Sequence, residues 1–306
     1  MANSDSTSAA TVAGEDTLPG FLYALTAYLL WGVLPIYIKL VEAIPPLEVV
    51  AHRVLWSLPI AGAVLLFRGR MGDVGSLLRQ PRMIGMAMIP AAFVSVNWLT
   101  YVYAIGSGHT LEAALGYYIN PLVSIVIAAL LLGERLSGLK LVAVGLAVVA
   151  VALLAYNAGG LPWISLVLAF TWGFYAFFKR RLPLGPNQGF FLEVLLLLAP
   201  AVAYVVYLQA TGNSHFLRAG GMRDTLLLLS AGLITAIPLM IYANGAKLLK
   251  LSTIAIMQYI APTLVFLMAV FLFHEEFDAG KLLAFAFIWA ALIVYTWSMF
   301  RNRQRG

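Results

Sequence analysis

The sequence predicts an all-α polytopic membrane protein with ten transmembrane helices in two inverted five-helix repeats. Three observations carry that expectation. The 306 residues are 62% apolar and only 10% charged, well short of the roughly 25% charge of an ordinary soluble domain. Apolar runs of about 20 residues, the length that crosses a bilayer, can be counted ten times along the chain. Finally, the stretch from Gly116 to Lys140 returns 141 positions later, with Tyr118, Ile119, Pro121, Ala128, Leu131, Glu134 and Lys140 meeting Tyr259, Ile260, Pro262, Ala269, Leu272, Glu275 and Lys281. The Ala and Leu matches follow from composition, whereas Tyr-Ile-x-Pro and the trailing Glu carry weight. The same offset lays Trp31-Gly32 on Trp172-Gly173 and Tyr101 on Tyr242. A period this long marks a duplicated half rather than a solenoid repeat.

Taken in order, residues 1–17 are polar, lack the basic start of a secretory signal, and read as a disordered cytoplasmic tail. The first span, 18–38, carries Tyr28, Trp31 and Pro35 on one face. The second has only 14 uncharged residues, Val54 to Phe67, too few to cross. Its helix must therefore reach back past Arg53 and His52 to about Leu47, behind the helix-starting Pro45-Pro46 pair. The third span, 83–105, places Asn97 and Tyr101 one turn apart, and the fourth, 111–132, does the same for Tyr117, Asn120 and Ser124. The uncharged run Leu141 to Phe178 is 38 residues long, and the Asn157 to Pro162 cluster divides it into spans 139–156 and 161–178. Spans 190–209, 225–246, 252–273 and 282–300 complete the count, and 301–306 form a second cytoplasmic tail. The repeats are 18–156 and 161–300.

Of 19 Lys and Arg, 14 fall on the side of both termini, four fall opposite, and Arg53 lies inside a span. The positive-inside rule puts both termini in the cytoplasm. Here the net charge of +6 is a topology signal, and no nucleic-acid partner is expected. With no cysteine there is neither a disulfide nor a thiolate metal site, and no metal or cofactor is expected. Five spans per repeat, an odd number, invert the second copy. Inverted repeats suit alternating access, with a site near midplane between the halves.

Leu47-Glu48-Val49-Val50-Ala51-His52-Arg53 with Trp56-Ser57, then Asn97-Trp98 with Tyr101, form part of a wider pattern. It continues through Leu115 to Leu122, Gly133-Glu134-Arg135-Leu136 and Gln258-Tyr259-Ile260-Ala261-Pro262. The whole resembles the RarD branch of the EamA-type drug/metabolite transporters, over nearly everything after the first tail. The resemblance implies a multi-pass protein of the bacterial inner membrane with ten helices in two inverted repeats. It leaves the cargo open.

Arg53 is the sharpest candidate for a substrate-binding residue, because a guanidinium inside a span is costly and usually meets a cavity or a partner. It would favour a carboxylate, phosphate or polarised carbonyl. The alternatives are snorkelling to the interface and a structural pair with Glu48. His52 is the only histidine in a span and is a second candidate, although adjacent helical residues point about 100° apart. Trp31, Asn97, Tyr101, Tyr117, Asn120, Trp172, Tyr242, Gln258 and Tyr259 are candidates for the wall of a cavity that takes a flat amphipathic molecule. Interhelical hydrogen bonding is the competing role for each. Pro121 and Pro262, at matched positions, are hinge candidates. Glu134 and Glu275 read as loop charges with gating contacts as the alternative, for instance Glu134 with Lys140. Glu48, Glu112 and Glu193 sit in first helical turns, where the macrodipole favours a carboxylate.

No span carries a mid-membrane Asp or Glu, and no Walker loop is present. The expected function is secondary transport in a lipid bilayer of a small-molecule substrate, an amphipathic drug or metabolite, with efflux ahead of uptake or exchange of an anionic metabolite. An intramembrane enzyme acting on a lipid-linked substrate is a distant alternative, and no HExxH or GxSxG motif supports it. A channel is another. Whether the chain forms a homodimer is open.

Overall fold

The computed structural model describes residues 16–133, 136–158, 160–218, 221–249 and 251–303, and all regular structure among them is helical. Residues 1–15 and 304–306, in the expected tails, and Glu134 with its suggested contact to Lys140 lie outside the described residues. Helix α1 (Leu18–Leu40) begins where the Thr17 hydroxyl accepts the Gly20 N–H at 3.2 Å, a side-chain cap. Helix α2 (Pro46–Phe67) takes Pro46 into its first turn and so reaches back past Arg53 and His52. A short helix, α3 (Met71–Leu78), precedes α4 (Pro81–Gly106); its eight residues are too few for a count of membrane-length runs to find. Then come α5 (Thr110–Leu132), α6 (Gly138–Ala158) and α7 (Trp163–Arg180), the last two separated at the cluster before Pro162. Helices α8 (Pro186–Thr211) and α9 (Gly221–Gly245) follow.

The ninth expected span is not one helix. It divides into α10 (Leu251–Met257) and α11 (Ile260–Leu267), and the latter widens into a π-helical turn through Leu272. Pro262 has no N–H to offer the carbonyl of Gln258 four residues back, and the interruption falls at Gln258 and Tyr259. Its counterpart Pro121 sits inside an unbroken α5. Helix α12 (Ala279–Arg303) closes the described chain. Among the described residues eight helices are long and apolar enough to cross a membrane, and the stretch Ile260–Leu272 is a shorter apolar helix. Helix α7 has 18 residues and ends in Lys179 and Arg180.

Helix α2 packs on α8 and α9, α1 on α9 and α11, α7 on α4 and α5, and α12 on α6. Close approaches fall on small residues, as membrane helices require. A Cβ on Gly32 would lie 2.4 Å from Leu264, and one on Gly173 would lie 2.9 Å from Ile127. The repeated Trp-Gly pair is therefore where α1 meets α11 and α7 meets α5. Gly232 is tighter still, since a Cβ there would lie 2.2 Å from the backbone carbonyl carbon of Trp56. One apolar cluster draws mainly on α1, α2, α4, α7, α8 and α9, and another mainly on α5, α6, α11 and α12. Outward-facing residues such as Leu130, Val148 and Ile293 are 77%, 62% and 67% exposed, as suits a surface solvated by lipid tails.

Candidate functional site

Arg53 turns into the bundle where α2 crosses α9. Its Nε donates to Thr235 Oγ1 at 2.9 Å, and that hydroxyl donates in turn to the Ala231 carbonyl at 2.8 Å. The guanidinium carbon lies 4.8 Å from the centre of the Trp98 ring, a cation–π distance. Arg53 is 5% exposed and its Nη1 is buried without a hydrogen-bond partner.

Neither structural alternative for Arg53 survives. It does not snorkel, because its head is in the interior. It does not pair with Glu48, whose carboxylate accepts from Ser214 Oγ at 3.0 Å and the His215 N–H at 2.9 Å and lies 3.0 Å from His215 Nδ1. Glu48 thereby pins the segment after α8 to the start of α2. Among the described residues no carboxylate is within ion-pair distance of Arg53.

A cavity of about 140 Å³ opens beside the guanidinium. Tyr28, Trp31 and Leu34 from α1 line it, with Asn97, Trp98 and Tyr101 from α4 and Tyr117 and Asn120 from α5. Trp172 of α7 and Thr235, Leu239 and Tyr242 of α9 complete the wall, together with Gln258, Ala261, Pro262 and Val265 around the α10–α11 interruption. Trp31, Arg53, Asn97, Tyr101, Tyr117, Asn120, Trp172, Tyr242 and Gln258 are thus brought to one place.

His52 and Tyr259 are not. Adjacent helical residues diverge by about 100°, so Arg53 pointing inward leaves His52 against Phe216, ring centres 4.7 Å apart, accepting from Trp56 Nε1 at 2.9 Å. From the interruption between α10 and α11, Gln258 faces the cavity, while Tyr259 faces an outer groove beside Thr263 and Trp289. Of the hinge candidates, Pro262 lines the cavity and Pro121 does not.

The aromatic rings form two groups. Tyr28, Trp31 and Tyr242 stand with ring centres 5.3 to 5.7 Å apart. Tyr117 stands 5.6 Å from Tyr101 and 6.2 Å from Trp172. Under the 141-residue offset Trp31 and Tyr242 map to Trp172 and Tyr101, so the groups share two duplicated positions, while Tyr28 and Tyr117 meet Ala169 and Gln258 and belong to one half each. Asn97 is engaged with the protein: its amide donates to the Leu168 carbonyl at 3.1 Å and to Thr171 Oγ1 at 3.0 Å, and its oxygen accepts from Tyr117 at 3.0 Å. It fastens α4, α5 and α7 together and aims Tyr117.

Sequence reasoning passed over Thr235 as a site residue, and Trp98 entered only as part of the resemblance. Thr235 was findable, because it lies three residues before Pro238 and seven before Tyr242, on the same helical stripe. Glu275, read as a loop charge, instead caps α5: its two oxygens accept the N–H groups of Thr110 at 2.7 Å and Leu111 at 2.9 Å. Glu193 accepts from Lys179 at 3.0 Å and from the Tyr175 hydroxyl at 3.2 Å.

The sequence matches the EamA-like transporter family over residues 18–156. Protein RarD of Streptomyces exfoliatus is 43% identical over 94% of this chain and 91% of its own length. An uncharacterized transporter of Pseudomonas aeruginosa is 40% identical over 94% and 96% of the two chains, and protein RarD of Escherichia coli is 36% identical over 95% and 98%. A solved crystal structure with 23% identity shares the fold at a TM-score of 0.57, covering 92% of this chain and 98% of that one.

Proposed function

Because the chain belongs to the EamA-like transporter family, in its RarD branch, we propose that it is a secondary permease that carries a small amphipathic molecule through the cavity beside Arg53 by alternating access. One observation carries the reading: the cavity is lined from both sequence halves and includes Trp31 with Trp172 and Tyr101 with Tyr242, pairs that the 141-residue offset interchanges. A seam between inverted repeats is where such carriers hold substrate, because each half can adopt the other's conformation.

The proposal includes ten membrane-crossing segments as two inverted five-helix repeats, with α7 and the interrupted α10–α11 segment as the sixth and ninth. The packing supports it. Exchanging the halves turns α4 on α7 into α1 on α9, and α5 on α7 into α1 on α11, while α2 with α8, α5 with α11 and α6 with α12 pair with their own counterparts. The distribution of Lys and Arg supports a bacterial cytoplasmic membrane location with both termini inside. The cavity wall has no paired acid and base groups of the kind hydrolysis needs, which favours carriage over catalysis. Efflux is the preferred direction, by analogy with transporters of this architecture. Arg53 favours an anionic solute whichever way it moves.

Comparative metabolite profiling tests this without knowing the cargo. A bacterial host overproducing the wild-type chain is expected to raise at least one small organic solute in the medium by threefold or more over a host producing Arg53→Met at equal membrane level. A rise inside the cell instead would make the direction uptake. Profiles that do not differ in either compartment would contradict transport through this cavity.

A further inference from the structure

Among the described residues Arg53 is a cation without a counter-ion. Its Nε is held by a neutral hydroxyl, its Nη1 has no partner, and the cavity it faces has no Asp, Glu, Lys or His in its wall. A buried charge of this kind is stable only when paired and hydrogen-bonded. The duplication did not copy it either, since the 141-residue offset sets Val194 opposite Arg53. One unpaired positive charge therefore stands in the wall of an otherwise uncharged aromatic chamber.

Resting on the carrier reading above, we propose that the substrate is a small planar organic monoanion, an aromatic or heteroaromatic carboxylate without an ammonium group. Its two carboxylate oxygens take the free side of the guanidinium fork, a planar match that Arg makes and Lys does not. Its ring takes the place between the Trp31–Tyr242 and Tyr117–Trp172 groups, whose faces and edges accept a flat partner. The chamber volume of about 140 Å³ sets the size, below the roughly 300–1,000 Å³ of drug-sized sites. Charge sets the class. A phosphate dianion leaves one negative charge uncompensated on a wall that has only one cation. An amino acid brings an ammonium into a chamber with no carboxylate to receive it, beside a guanidinium that already occupies the Trp98 face.

The class also supplies an energy source. A monoanion carried alone moves down the inside-negative membrane potential when it leaves the cell, and 100 mV sustains an outward gradient of about 50-fold. Export then needs neither ATP nor a proton-carrying carboxylate, and the cavity wall has none.

Calorimetric titration of the purified chain in detergent, with five probes of one ring size, tests the proposal. Benzoate is expected to bind saturably at one site. Benzamide, benzylamine, phenylalanine and phenyl phosphate should each bind at least tenfold more weakly. Arg53→Gln should weaken benzoate at least tenfold, and Arg53→Lys should recover part of that loss. Tighter binding of benzylamine, phenylalanine or phenyl phosphate, equal benzoate affinity in Arg53→Gln, or no saturable benzoate heat up to 10 mM would each overturn the substrate class. Titration in detergent reads the chamber without a membrane, so any of these results leaves the carrier reading to be judged by the metabolite profiles.

Discussion

Replacing Arg53 by Met is expected to raise the thermal stability of the purified protein and, in the same molecule, to lower transport by at least about 100-fold. The two effects share one cause. Arg53 is buried with its Nη1 unpartnered, and exchanging buried charge for apolar volume often stabilises, by about 1–4 kcal/mol. Met has a comparable length and no desolvation cost. The change orphans little: Thr235 loses the Arg53 donor but keeps its own bond to the Ala231 carbonyl at 2.8 Å. A gain of about 2–4 °C in Tm per kcal/mol is expected for a chain of this order of size. Transport falls because a hydrogen-bonded charge contact contributes about 1.5–3 kcal/mol, and two such contacts are removed from the bound anion. Differential scanning fluorimetry beside solute efflux measures both. If Tm and transport fall together, Arg53 is a structural residue and the site reading fails.

Gly232→Val is expected to produce the largest loss of stability. At this position α2 and α9 touch backbone to side-chain-free backbone, and an added Cβ would meet the Trp56 carbonyl carbon at 2.2 Å and its oxygen at 2.4 Å. A side chain could rotate away from such a contact, but backbone cannot, so the two helices must separate. That separation also pulls Thr235 from Arg53 and the Gly232 carbonyl from Ser57 Oγ, which donates to it at 3.4 Å. Overpacking of this kind costs about 3 kcal/mol or more, a fall of about 6–12 °C in Tm. Recovery of monodisperse protein and its melting temperature read the effect. Gly72→Ala is the control, because a Cβ there meets nothing within 4 Å and Ala is the better helix former. Equal behaviour of the two variants would contradict the α2–α9 contact.

The start of α2 was readable because bilayer thickness forces a short apolar run backwards onto Arg53 and His52, and the Pro45-Pro46 pair marks where it stops. The aromatic and amide residues were readable as stripes, and most converge on one cavity, because helical spacing alone decides which residues share a face. Which face points inward was not readable, since that depends on neighbours. Arg53 and His52 are adjacent, and only the position of α9 selects one. Gln258 and Tyr259 also divide, one to the cavity and one to the outer groove, at a break in the ninth span. The interruption between α10 and α11 was hidden because Pro121 and Pro262 look alike in sequence, while α5 stays continuous around one and the ninth span breaks before the other. Glu275 looked like a loop charge because its partners, the N–H groups of Thr110 and Leu111, are backbone atoms far away in sequence.

The central claim is that the chamber beside Arg53 opens to each side of the membrane in turn, and single-cysteine labelling measures that most directly. The chain has no native cysteine, so one can be placed at Leu239 in the cavity wall, with Arg70→Cys and Arg218→Cys as exposed markers. A membrane-impermeant thiol reagent is applied to intact cells and to inverted vesicles. The account predicts that the two markers react from opposite faces and that the cysteine at position 239 reacts from both. Reaction at 239 from one face only would show a fixed pocket and contradict alternating access, and markers that react from the same face would overturn the topology.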